Sequence, residues 1–277
     1  MRHAVFIHHL GEADDFPGCL NFLTQLLFRT DVIYSNCMNS ITNDQNIQEW
    51  SSVSNEIIEN FGDQGDFYRK HQLNPAILSL LTDVRGKIIL DAGSGTGYLA
   101  RLLAKEGAYV TGIEPATNLY NYAVLQEKKE PLGITYLQED LSAWKPIPNT
   151  FDMVVSNMVF MDIPDYQSAI RNCVASLKQN GVFVFSFLHP CFEEDIDWRK
   201  QQYVSTKEYF EEYAVKQFAG HFFHRTLSSY INLIAENSCY IEKMIEPQLS
   251  KEIVDKYPQQ ERSHHVPLFL VIRAKKN

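Results

Sequence analysis

The apolar positions from residue 88 onward alternate between short uninterrupted runs and runs with helical spacing. The short runs have the pattern of strands covered on both faces; they lie at 88–90, 109–113, 134–137, 151–157 and 182–188. Between them, apolar residues spaced three and four apart predict helices that begin near residue 98 and cover 117–129 and 165–178. This alternation predicts an α/β fold with a parallel sheet, whose ligands lie at the C-terminal ends of the strands.

A glycine-rich turn separates the first of these strands from its helix. Gly93, Gly95 and Gly97 occupy every second position. Lacking a Cβ, they permit a sharp bend and the close approach of a ligand, and the helix that follows directs its free N–H groups at the turn. Residues 95–100, GTGYLA, also fit the G-x-G-x-x-A fingerprint of dinucleotide-binding proteins. The turn is therefore compatible either with a dinucleotide or with a different ligand that approaches the backbone closely.

Acidic residues at the ends of three predicted strands help to distinguish a dinucleotide from a ligand of another kind. Asp91 stands two residues before the first glycine, Glu114 closes the second run, and Asp140 follows the third. Like charges about 4 Å apart repel by roughly 4 kcal/mol at an effective dielectric constant of ~20, so Asp91 disfavours a pyrophosphate. Three carboxylates suit a ligand with an ammonium group, a ribose diol and an exocyclic amine.

The sequence DAGSGTG at 91–97 resembles the first motif, D-x-G-x-G-x-G, of the class I S-adenosylmethionine-dependent methyltransferases. The resemblance extends over residues 65–275. It implies a Rossmann-like, doubly wound, seven-stranded and mostly parallel sheet, with an antiparallel last strand, N-terminal helices and an inserted lid. In this family the sixth strand corresponds to 239–247 and the antiparallel seventh to 267–276.

The same resemblance implies that the cofactor is S-adenosylmethionine. Asp91 and Gly93 would lie at its methionine end, Glu114 at the ribose hydroxyls, and Asp140 with Leu141 at the adenine. The other implied cofactor contacts are Tyr68, Ser94, Gly95, Gly97, Pro115, Asn157 and Met158.

Three segments are expected from the extent of this resemblance. Residues 1–37 carry none of it, which makes Met38 an alternative natural start. Residues 38–81 are predicted to form an N-terminal helical cap, and 82–277 the methyltransferase domain with a lid insertion at 191–225. The apolar run at 4–10 is too short for a signal peptide, and no run approaches the ~20 residues of a membrane span. We therefore expect a cytoplasmic protein that does not associate with membranes.

Charge and cysteine spacing exclude other partners. The formal net charge of -9 argues against a nucleic-acid backbone as the main partner. Asn157 is followed by Met158 and Val159 rather than by the Pro-Pro-aromatic sequence of the DNA adenine methyltransferases. The five cysteines are widely spaced and form no C-x-x-C, so neither a disulfide framework nor a zinc site is expected. The oligomeric state does not follow from the sequence.

The predicted lid is rich in aromatic residues, which favours a largely apolar pocket for a small molecule. The residues expected to line it are His189, Phe210, Tyr213, His221 and Phe222. The alternative is that these aromatic side chains simply pack the insertion onto the sheet. His221 and His224 are three apart and would share one face of a helix, but no third metal ligand accompanies them, so no metal site is expected.

The reaction implied by the resemblance is displacement of the sulfonium methyl by an acceptor oxygen, nitrogen or carbon. Similarity to methyltransferases whose fifth strand ends in an HPCF-like sequence suggests a small organic acceptor from secondary metabolism. Two roles remain open for His189, which follows that strand: a general base, or a wall of the pocket. Two other functions also remain open: an NAD(P)-dependent oxidoreductase that uses GTGYLA, and a protein that binds S-adenosylmethionine without catalysis.

Overall fold

The computed structural model describes residues 41–193, 196, 198–217 and 219–277. Its strands are β1 (Ile88–Ala92), β2 (Tyr109–Ile113), β3 (Thr135–Leu137), β4 (Phe151–Asn157), β5 (Leu177–Leu188), β6 (Tyr213–Lys216), β7 (His221–His224), β8 (Cys239–Ile245) and β9 (Phe269–Lys276). The predicted segment 1–37 and the alternative start at Met38 lie outside the described residues.

Seven of these strands form one sheet in the order β3, β2, β1, β4, β5, β9, β8. The strands from β3 to β5 pair in parallel, whereas β9 is antiparallel to both of its neighbours. The predicted fold class, including the antiparallel last strand, is confirmed. Because the chain order reverses between β1 and β4, a crevice is expected at the carboxyl ends of these two strands.

The central strands are buried because helices cover both faces of the sheet. Ile89, Leu90, Val154 and Val155 are all fully inaccessible to solvent. The helices are α1 (Asn43–Trp50), α2 (Asn55–Glu59), α3 (Asn74–Leu81), α4 (Tyr98–Lys105), α5 (Thr117–Lys129), α6 (Tyr166–Ser176), α7 (Trp198–Gln201), α8 (Leu227–Glu236), α9 (Lys251–Lys256) and α10 (Arg262–His265). A π-helical turn at Arg69–Leu73 precedes α3, and 3-10 turns lie at Phe160–Asp162 and Pro258–Gln260.

Two helices ahead of β1, α1 and α2, contact the rest of the domain near the carboxyl ends of the strands and at α5. A capping box between Thr42 and Gln45 begins α1. Ile58 of α2 packs with Leu119 of α5 in a small apolar cluster. These contacts attach the described part of the predicted N-terminal cap to the domain; the division at residue 81 remains a prediction.

The insertion after β5 contains a two-stranded antiparallel hairpin of β6 and β7. The possibility that His221 and His224 share a helix face is wrong, because both lie on β7. His224 Nδ1 contacts Glu193 Oε2 at 2.8 Å, and its Nε2 contacts the carbonyl of Tyr209 at 3.0 Å. A carbonyl only accepts, so Nε2 carries a proton and the ring serves the packing of the insertion.

The described residues include neither a membrane-spanning helix nor a cluster of metal ligands. None of their helices combines the length and the apolarity needed to cross a bilayer. Within the same part of the chain, no group of three or more His, Cys, Asp or Glu side chains is arranged to hold a metal ion.

Candidate functional site

A cavity of about 170 Å³ lies at the carboxyl ends of the central parallel strands. One wall combines the turn after β1, the ends of β2 and β4, and the segment after β3. The predicted cofactor contacts in this wall are Gly93, Ser94, Gly95, Glu114, Pro115, Asp140, Leu141, Asn157 and Met158. The lining also includes the apolar side chains of Ile47, Leu73, Met161, Leu188 and Phe269.

The glycine turn has the geometry that its residue types permit. Gly93, Gly95 and Gly97 have φ values of 77°, 53° and 73°, which side chains with a Cβ rarely adopt. A Cβ on Gly93 would lie 2.5 Å from the side chain of Val159, whereas one on Gly95 would meet no protein atom within 4 Å. Gly93 thus allows close packing within the protein, and Gly95 leaves space at the cavity.

Glu114 connects β2 to this turn. Its Oε2 accepts a hydrogen bond from the backbone N–H of Gly95, and its Oε1 from that of Ala116, both at 2.8 Å. Burial raises the pKa of Glu114 to about 7, although both hydrogen bonds oppose the shift. Each carboxylate oxygen retains a lone pair, so the side chain is able to accept further bonds from a pair of hydroxyls.

Asp140 also lines the cavity. Its Oδ2 accepts from Ser142 Oγ at 2.7 Å and from Asn43 Nδ2 of α1 at 3.0 Å. A helix from the N-terminal segment therefore closes the site next to the predicted adenine position. Nothing in the sequence marked Asn43, because its partner is 97 residues away.

Two hydroxyls beside the cavity indicate room for a polar ligand. Ser94 Oγ and Thr96 Oγ1 are buried and make no hydrogen bond among the described residues. Such groups are normally paired in folded proteins. Together with the open space at Gly95 and the spare acceptor capacity of Glu114, they fit a cofactor rich in hydroxyl and amino groups, as S-adenosylmethionine is.

A buried network fixes the end of β4. Asn157 Nδ2 donates to Tyr98 Oη at 2.6 Å, and Asn157 Oδ1 accepts from Ser186 Oγ at 2.6 Å. Tyr98 donates in turn to Asn74 Oδ1 at 3.1 Å. Burial raises the pKa of Tyr98, so it remains a neutral phenol. Tyr98 also lines the cavity, although it was not among the predicted site residues.

Three predicted cofactor contacts lie behind the cavity wall. Asp91 is 1% exposed beneath the glycine turn, and burial raises its pKa to about 7. Gly97 begins α4 and faces Tyr136. The Tyr68 hydroxyl bonds to Gln260 and its ring packs edge-on against Phe269. The structure therefore does not bring Asp91, Gly97 and Tyr68 to the cavity surface.

His189 is also outside the cavity wall. Its Nδ1 accepts the backbone N–H of Cys191 at 3.2 Å, so the neutral ring carries its proton on Nε2, which lies 3.0 Å from Glu246 Oε1. Burial lowers the pKa of His189. With both nitrogens engaged, the ring has no free lone pair for an acceptor, which argues against the predicted catalytic role and against a pocket contact.

The remaining predicted pocket residues lie away from the cavity lining. Phe210 is 85% exposed. Tyr213 stacks on His224 with ring centroids 4.5 Å apart. His221 Nδ1 pairs with Glu49 Oε2 at 2.9 Å, and Phe222 packs at the edge of the main core. None of these four lines the cavity; the insertion contributes Gln217 instead.

The comparisons with known proteins agree with this geometry. Residues 90–185 match the family described as Methyltransferase domain. A ubiquinone biosynthesis O-methyltransferase from Coxiella burnetii is 32% identical over 126 residues, which cover 44% of this chain and 54% of that protein. The chain thus matches about half the length of this curated relative.

Two crystal structures share the fold. An S-adenosylmethionine-dependent methyltransferase from Mesorhizobium loti superposes with a TM-score of 0.65 at 24% identity, covering 73% of this chain and 96% of that one. Magnesium protoporphyrin IX methyltransferase from Synechocystis, with bound S-adenosylmethionine, gives 0.56 at 14% identity, covering 86% and 99%. Residues 90–185 therefore match a methyltransferase domain, and the chain shares its fold with S-adenosylmethionine-dependent methyltransferases.

Proposed function

We propose that this protein transfers the methyl group of S-adenosylmethionine to an oxygen, nitrogen or carbon of a small, largely apolar organic acceptor. The observation that carries the proposal is a single cavity lined both by the glycine turn, Glu114 and Asp140 and by a set of apolar side chains. The polar groups suit an adenosine cofactor, and apolar lining with few polar anchors suits a small organic molecule.

The chemistry requires mainly positioning by this chain. Bound S-adenosylmethionine would supply an electrophilic methyl group on a sulfonium. The glycine turn and Glu114 would hold the adenosine side, while the apolar side chains would exclude water and orient the acceptor. Aligning two bound reactants contributes about 7 to 11 kcal/mol to lowering a barrier.

The class of acceptor follows from the relatives and the charge. The curated relatives act in ubiquinone biosynthesis as O-methyltransferases, which supports a small organic acceptor rather than a nucleic acid. The formal net charge of -9 supports the same choice. We further infer a cytoplasmic location from the sequence features described above, and a role in secondary metabolism from the resemblance to methyltransferases whose fifth strand ends in an HPCF-like sequence.

Ligand-induced stabilisation tests the cofactor. S-adenosylmethionine and S-adenosylhomocysteine should raise the melting temperature of the full chain, and NAD and NADP should not, because only native-state ligands stabilise. The reverse ranking would favour a dinucleotide enzyme. Glu114→Gln should weaken S-adenosylhomocysteine binding by about 1 to 3 kcal/mol. Glu236→Gln, an exposed change on α8, is the control; equal affinity in both variants would remove Glu114 from the site.

Isotope labelling then tests the transfer. The protein, incubated with methyl-labelled S-adenosylmethionine and a metabolite extract, should produce a labelled small molecule and S-adenosylhomocysteine in equal amounts. Tight cofactor binding without any labelled product would instead support the binding protein without catalysis.

A further inference from the structure

A third carboxylate lines the cavity, apart from the two assigned to the adenosine. Asp162 ends the 3-10 turn that follows β4. Val159, three residues earlier, packs against Gly93, so this turn adjoins the first glycine of the cofactor loop. Asp162 therefore lies on the side of the cavity that the family resemblance gives to the methionine end, where the methyl group is transferred.

The backbone of this turn is held firmly. The buried guanidinium of Arg225 donates to the carbonyls of Phe160 at 3.1 Å, Ile163 at 2.8 Å and Pro164 at 3.1 Å. Asn46 Nδ2 of α1 donates to the carbonyl of Asp162 at 2.5 Å. These bonds hold the backbone of the turn in place and leave the carboxylate oxygens of Asp162 unused.

The carboxylate itself has little hydrogen bonding. Its Oδ1 accepts from Gln217 Nε2 at 3.5 Å, and its Oδ2 makes no hydrogen bond within the described residues. Asp162 is partly buried, and the cavity that it lines also includes the apolar side chains Met161, Leu188 and Phe269. A partly buried acceptor with so little hydrogen bonding favours a ligand that brings a donor.

We propose that Asp162 is the catalytic residue that receives the proton of the acceptor, so that the acceptor presents an O–H or N–H at the atom to be methylated. The inference rests on the proposed function. As the new bond from oxygen or nitrogen to the methyl carbon forms, the sulfonium–carbon bond breaks and its electron pair stays on sulfur. The proton passes from the acceptor to Oδ2 of Asp162, which turns a sulfonium and a carboxylate into a neutral thioether and a neutral acid.

The electrostatics of the site agree with this role. Burial raises the pKa of Asp162 well above its usual value, opposed by the charges of Arg69 and Arg225 and assisted by that of Glu114. A raised pKa makes the carboxylate a stronger base. The other groups near it are occupied: Arg69 pairs with Asp66, and the Tyr98 hydroxyl both donates and accepts.

A pair of probes that differ by one donor tests the proposal. The full chain, saturated with S-adenosylhomocysteine, is titrated by NMR with phenol and with anisole, in which a methyl replaces the hydroxyl hydrogen. Phenol should bind about 10-fold or more tighter, because a hydrogen bond to a charged group is lost with anisole. Asp162→Asn should abolish most of that preference, and Asp255→Asn, an exposed change on α9, should retain it.

The pH dependence gives a second readout. The phenol preference should be full above the pKa of Asp162 and decline as the pH falls through it, because only the carboxylate accepts strongly. The charged groups that face Asp162 are Arg69, Arg225 and Glu114. Burial raises the pKa of Glu114 to about 7, so the Asp162→Asn profile provides the correction for Glu114.

Each outcome decides between the inference and the proposed function. Equal binding of the two probes, no saturable phenol binding, or an unchanged preference in Asp162→Asn would overturn the role of Asp162 alone. A loss of S-adenosylhomocysteine affinity in Asp162→Asn would assign the carboxylate to the cofactor and also overturn it. Failure of the wild-type chain to bind S-adenosylhomocysteine would overturn both.

Discussion

At the scale of a single residue, the side chain of Glu114 is already held in position for binding a ligand. Its two oxygens already accept the N–H groups of Gly95 and Ala116, so the side chain closes the glycine turn before any ligand binds. The cost of immobilising the turn is thereby met during folding, which leaves more of the interaction energy for affinity. The same bonds hold a carboxylate whose pKa is about 7 in a position to accept hydroxyl donors.

His189 provides the residue-scale prediction that separates packing from catalysis. His189→Ala should lower the free energy of unfolding by about 1 to 3 kcal/mol, because Glu246 and the Cys191 N–H lose a partner. Affinity for S-adenosylhomocysteine should be unchanged. Urea unfolding and calorimetric titration measure the two quantities, with His265→Ala, a change of an exposed side chain on α10, as the control. A stable variant with greatly weakened binding would return His189 to the site.

Asn46 connects two elements that are distant in sequence. Its amide accepts the backbone N–H of His221 at 2.7 Å and donates to the His221 carbonyl at 3.1 Å. One side chain therefore joins α1 to β7 in the manner of a strand partner. Gly220 is required beside it, since a Cβ there would lie 2.5 Å from Trp50 Nε1.

The element-scale prediction follows from this link. Asn46→Ala should accelerate amide hydrogen exchange in β7 and α1, because a buried N–H and two carbonyls lose their partners. Dissociation of S-adenosylhomocysteine should also become faster, since α1 covers the cavity. Gln48→Ala, an exposed change on the same helix, serves as the control. Exchange rates that match those of the control would show that α1 and the hairpin are held by other contacts.

The sequence predicted the elements whose pattern is local. The strand at 151–157 matches β4, and the glycine turn connects β1 to α4. The β6–β7 hairpin was missed because His221 to His224 shows no polar alternation, and its aromatic residues suggested a pocket wall. Asn46 and Asp162 carried no local signal, since they are 116 residues apart and only the fold brings them together.

At the scale of the whole molecule, several carboxyl groups in and beside the site are buried, and their ionisation lowers the stability of the folded protein. Asp91, Glu114 and Asp162 all have a raised pKa because burial disfavours the ionised form. A raised pKa means that the folded state binds protons more tightly than the unfolded chain does. The stabilisation is therefore full at low pH and is lost as the pH rises through the folded-state pKa.

Asp91→Asn isolates this effect. The pKa of Asp91 is about 7 in the folded protein and 3.8 ordinarily, so between pH 5 and 8 the wild type should lose about 2 to 3 kcal/mol of unfolding free energy relative to Asp91→Asn. The measured quantity is the difference in unfolding free energy between the two proteins at each pH. The difference is needed because the pKa values of His71, His189 and His221 are lowered in both proteins, and these histidines change stability with pH in the opposite direction. Urea unfolding without cofactor at several pH values gives the two curves, and Asp255→Asn should run parallel to the wild type. Parallel curves for wild type and Asp91→Asn would mean that Asp91 is ionised at neutral pH in the folded protein, and hence that a charged partner compensates its burial.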